Sequence, residues 1–93
     1  MLKDFGPREV RAGQDFNVQP SGISAIWVSC ENATPSTVIM IKDVKLKSDV
    51  QKGGGLVTAG VPRNVYESPG EFSIYLLDEQ TGKRSNESKF IVK

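Results

Sequence analysis

The sequence contains no histidine and one cysteine, Cys30. That inventory removes Ser–His and Cys–His nucleophile pairs and every histidine-ligated zinc site. One thiol makes neither a thiolate metal cluster nor an internal disulfide. Cys30 ends the apolar run "AIWVSC" and reads as a small core residue rather than a reactive nucleophile. Asp43, Asp78 and Glu79 remain as acid–base candidates. Glycoside chemistry needs two carboxyls facing each other across a cleft, and charged residues at strand ends are more often solvated turns. In "GGGLVTAG", Gly55 and Gly60 match the first part of a phosphate-binding loop. Val61-Pro62 then stand where that loop needs Lys followed by Ser or Thr, and no helix follows. The run Gly53-Gly54-Gly55 reads as a mobile connection. The expectation is a chain with no catalytic residues, no metal and no cofactor.

Aromatic residues are the better pointer to binding. Trp27 and Tyr75 are the candidate ligand platform, stacking on sugar rings or anchoring a protein. By strand parity Ile26, Val28 and Cys30 share one face, which leaves Ala25 and Trp27 on the other. The competing reading buries Trp27 in the core and gives Tyr66 a structural role, its hydroxyl capping one end of the fold.

Twelve Lys and Arg against eleven Asp and Glu give a formal charge of +1, without the basic excess of a nucleic-acid binder. Lys42, Lys45, Lys47 and Lys52 come closest, but Asp43 and Asp49 interrupt them. They read as a solvated edge strand guarded by lysines. If the stretch 37–47 is such an edge, it is also where a homodimer would form. "NAT" at Asn32 and "NES" at Asn86 match the glycosylation sequon, which matters only in a eukaryotic secretory protein.

The elements that must position these residues are strands. Ninety-three residues make one domain, 1–93, with one core. No apolar run reaches the length of a membrane span or signal peptide. Strands are predicted at 9–13, 15–20, 24–30, 37–47 with a break near Lys42-Asp43, 56–62, 71–77 and 88–93. Phe72, Ile74 and Leu76 share one face of their strand, and Phe90 and Val92 point inward. Pro62 ends a strand because it cannot donate to a ladder. Pro69-Gly70 is the pattern of a type II turn, and Gly82 serves a hairpin loop. About seven short strands, with no room for helical crossovers, predict an all-β antiparallel sandwich of immunoglobulin-like type.

Those punctuation residues carry a family resemblance. Val61-Pro62, Gly70, the strand from Phe72 to Leu77, Gly82, Ser85-Asn86 and Phe90 resemble the C-terminal half of IPT/TIG domains, which are immunoglobulin-like modules. Gly13 and Phe16 resemble the opening of that pattern, while "PSGISAIWVSC" departs from its next segment. The resemblance implies a non-catalytic spacer or protein-interaction module in a larger bacterial surface or multidomain protein. Its partners would be proteins or neighbouring domains, or polysaccharide if it is an accessory domain. It implies the cell envelope or the extracellular space, and it brings no site residues.

Overall fold

The computed structural model describes residues 2–20 and 22–93. Ser21, inside the predicted stop Pro20-Ser21-Gly22, lies outside the described residues. The strands are β1 (Leu2–Gly6), β2 (Glu9–Val10), β3 (Ser24–Cys30), β4 (Thr37–Ile41), β5 (Val44–Lys45), β6 (Ser48–Val50), β7 (Leu56–Val61), β8 (Gly70–Asp78) and β9 (Ser88–Val92). One turn of helix, α1 (Arg63–Tyr66), joins β7 to β8. The four-stranded sheet runs β1-β3-β7-β6 and the five-stranded sheet β2-β9-β8-β4-β5. Every pairing is antiparallel except β2 with β9.

Period-two alternation explains why these segments pair as two layers. In β3, Ile26, Val28 and Cys30 are buried while Trp27 is exposed. From β7, Val57, Ala59 and Val61 point the same way as the buried residues of β3. The five-stranded sheet answers with Ile39, Ile41, Ile74, Leu76, Phe90 and Val92, and all of these join one continuous core cluster. Each large side chain taken from water contributes roughly 1.5–3 kcal/mol. That burial, shared between the sheets, holds them face to face.

Several local features differ from the sequence reading, each for a physical reason. Residues 15–20 form a loop, because Asn17 adopts φ 43° and breaks the extended backbone. Phe16 still turns inward, edge-on to Tyr66 at 4.9 Å between ring centroids, but Val18 is exposed. The stretch 37–47 is not one edge strand. Lys42 and Asp43 both have φ near +57° (56° and 58°), so they form a tight two-residue turn of the kind usually made by Asn-Gly. β4 therefore lies inside the sheet between β8 and β5, and only Val44–Lys45 occupies the edge. Gly70 has no positive φ and opens β8 rather than making a type II turn; a Cβ there would stand 2.8 Å from the Phe72 ring. The triple-glycine run is anchored too. Gly54 is buried at φ 72°, and a Cβ on it would come within 2.5 Å of the Ala33 carbonyl oxygen. Pro62 and Gly82 stand as expected, at the end of β7 and at φ 77° in the β8–β9 connection.

Side chains lock the loops onto this frame. Asn86 accepts the Leu2 amide at 3.0 Å and donates to the Leu2 carbonyl at 3.1 Å. It thereby ties the segment before β9 to an edge strand of the opposite sheet. Cys30 is buried, its thiol facing the Gly54 carbonyl at 3.5 Å, and burial pushes that thiol up from its ordinary pKa.

Candidate ligand-contact face

Trp27 and Tyr75 occupy different sheets, so the structure does not bring the predicted platform together. Tyr75 faces outward from β8 yet is only 3% exposed. The Arg84 guanidinium lies over its ring, 5.0 Å from the centroid, and its hydroxyl donates to the Asp43 carboxylate at 3.3 Å. Lys42 covers Phe72 on that same sheet at 4.8 Å. Cations thus cover the rings of Tyr75 and Phe72 in the five-stranded sheet.

Trp27 is different. It points out of the four-stranded sheet with 37% of its surface exposed, so it is not the core tryptophan of the competing reading. In register it stands opposite Gly6 on β1. A Cβ built on Gly6 would lie 2.6, 2.7 and 2.7 Å from Cζ2, Cε2 and Nε1 of the indole. The Nε1–Cε2–Cζ2 edge of the indole therefore packs closely against Gly6, where any side chain would clash, an arrangement that shields an edge-strand glycine. Part of the ring still meets solvent.

The pairing continues across the sheet. Gly6 pairs with Trp27, Trp27 with Thr58 on β7, and Thr58 with Asp49 on β6. Directly paired side chains stand about 5 Å apart, so an indole, a hydroxyl and a carboxylate form one transverse row. Next to it Ala25 pairs with Gly60, a row almost without side chains. Ile23, half exposed, leans over Gly60, its Cγ2 3.2 Å from a Cβ built there. The result is an open groove of about 980 Å³, within the usual range for ligand clefts. Its floor is bare, its ends are Ile23 and Trp27, and its rim includes Asp15, Lys47, Asp49 and Arg63.

A relay of polar contacts fixes the loop that walls one side. The Phe16 amide donates to Ser24 Oγ at 3.0 Å. Ser24 Oγ lies 3.0 Å from the Tyr66 hydroxyl, which donates to Asp15 Oδ1 at 2.9 Å. Each hydroxyl donates once, so the proton order runs from Ser24 to Tyr66 to Asp15. Tyr66 is buried and has the capping role expected of it.

The carboxylates considered for chemistry are used structurally. Asp78 accepts Ser36 Oγ at 2.7 Å, Thr34 Oγ1 at 3.1 Å and the Gln80 amide at 2.9 Å. The Ser36 bond leads in holding its pKa below the ordinary carboxylate value. Glu79 pairs with Lys45 at 3.0 Å. Among the described residues, no helix is long and apolar enough to cross a membrane. The sequence matches no protein-family model and no curated protein.

Proposed function

We propose that this chain is a non-catalytic immunoglobulin-like module of IPT/TIG type, a spacer or interaction domain of a larger bacterial surface or multidomain protein. Its contact surface is the open face of the four-stranded sheet. The exposed indole of Trp27, its edge packed against Gly6, is the observation that carries the reading. A lone tryptophan turned toward water is an unusual thing for a scaffold to maintain, and such rings are common anchors of binding surfaces.

Strand order supports the immunoglobulin-like assignment. With the long strands lettered in chain order, the order β1-β3-β7-β6 corresponds to the A-B-E-D sheet of immunoglobulin domains. The order β9-β8-β4-β5 corresponds to G-F-C and an added C′ strand, with β2 beside β9 as a continuation of the first strand. Immunoglobulin domains bury a tryptophan on strand C; the strand in that position here is β4, and the tryptophan sits on the neighbour of the first strand instead.

The test is hydroxyl-radical footprinting of Trp27 and Ile23. Both side chains are expected to react freely in the isolated 93-residue chain and to be protected in the native assembly. Equal oxidation in both settings overturns the contact-face reading.

A further inference from the structure

The groove beside Trp27 has a chemistry more specific than a generic contact surface. We infer that it binds a neutral oligosaccharide, one pyranose ring stacked on the exposed indole of Trp27 and its hydroxyls held by Thr58 and Asp49. The inference rests on the contact-face reading above and deepens it.

A pyranose presents an apolar C–H face and, around its edge, hydroxyls that radiate in the plane of the ring. The transverse row matches both. The exposed part of the Trp27 indole offers the apolar surface on which such a ring stacks. Thr58 and Asp49, which follow Trp27 in register on β7 and β6, stand within reach of the hydroxyls at its edge. Neither side chain makes a hydrogen bond or ion pair among the described residues. The Asp49 carboxylate is exposed and can accept two hydroxyls, while Thr58 can both donate and accept. Beyond the row, the bare Ala25–Gly60 floor continues to Ile23. Four residues of strand from Ile23 to Trp27 span about 13 Å, room for roughly two or three sugar rings.

Charge and apolar area argue against other occupants. The rim mixes Asp15 and Asp49 with Lys45, Lys47 and Arg63, and Lys45 is paired with Glu79, so no single-sign field selects a polyanion. The large exposed apolar side chains among the described residues are Val18, Ile23 and Trp27. Three separated side chains fall well short of the apolar centre of a stable protein interface, which covers roughly 800 Å² on each partner. A sugar needs only one aromatic face and a few well-placed polar groups.

The experiment is a titration of the ¹⁵N-labelled chain with cellohexaose, laminarihexaose, xylohexaose and mannohexaose, and in a parallel arm with a proline-rich peptide. At least one sugar is expected to shift, saturably, the Trp27 indole N–H and the amides of Thr58, Asp49 and Gly60. Trp27→Ala should weaken that sugar by about tenfold or more. Asp49→Asn, a change at an exposed position that leaves the fold intact, should weaken it several-fold. The assignment is overturned if no sugar moves these resonances, if binding survives both substitutions, or if the peptide alone takes the groove. In the last case the contact-face reading stands. Absence of any ligand, together with equal footprinting in the native assembly, removes both.

Discussion

Adding one methyl group at Gly6 tests whether the indole really packs against the backbone there. A Cβ there would stand 2.6 Å from the nearest ring atom, against an ordinary contact of 3.4–4 Å, so the ring must lift by about 1 Å or tilt. Overpacking of this kind costs about 1–3 kcal/mol. Gly6 has no positive φ, so alanine suits its backbone and restricts the unfolded chain, which offsets about 0.4–1 kcal/mol. Gly6→Ala should therefore destabilise the protein by about 0.5–2 kcal/mol. With the ring removed, the clash vanishes and only the chain-entropy gain remains. In a Trp27→Ala background the same methyl should be neutral or stabilising, giving a coupling of about 1–3 kcal/mol in a double-mutant cycle. Urea unfolding followed by far-UV circular dichroism reads all four proteins without relying on the tryptophan that two of them lack. If Gly6→Ala has the same sign and size in both backgrounds, the close contact between the indole and Gly6 is wrong, and with it the placement of Trp27 on which the glycan assignment stands.

Two further outcomes follow from side-chain bonds. Asn86→Ala removes both bonds to Leu2 and should cost about 1–3 kcal/mol, with faster hydrogen exchange at the Leu2 amide; unchanged exchange there would mean the clamp is idle. Asp78 has a folded-state pKa lowered from 3.8, chiefly by the Ser36 hydroxyl. Its stabilising contribution is therefore present above the unfolded pKa and is lost as pH falls through the folded one. The urea midpoint should drop as pH falls below about 4, and less steeply in Asp78→Asn, whereas identical profiles would deny Asp78 that role.

The strands that face the core on one side were legible because their alternation is strict. Ser24–Cys30 and Leu56–Val61 needed only parity. The strand Ser48–Val50 was invisible, because "SDV" at an edge buries no side chain fully and carries no periodic signal. The opposite error arose at Phe16 and Val18, where alternation is present but Asn17 at positive φ destroys the strand. Parity placed Trp27 on the face away from Ile26, Val28 and Cys30, as found. Whether that face is covered depends on Gly6, Thr58 and Asp49, partners remote in sequence whose registers no local pattern encodes. Tyr75 failed as a platform member for a similar reason: Arg84 and Asp43, from separate loops, close over it.

The order of strands has one more consequence. Residues 2–10 supply one margin of each sheet, β1 and β2, and residues 44–50 supply the other two, β5 and β6. Both margins of the sandwich are thus hemmed by a short ribbon that crosses from layer to layer. Peeling away the N-terminal ribbon would bare β3 and β9 together, leaving two ragged selvedges on one molecule. A copy so trimmed would be sticky in two directions, and the arm of a neighbour would be its natural patch.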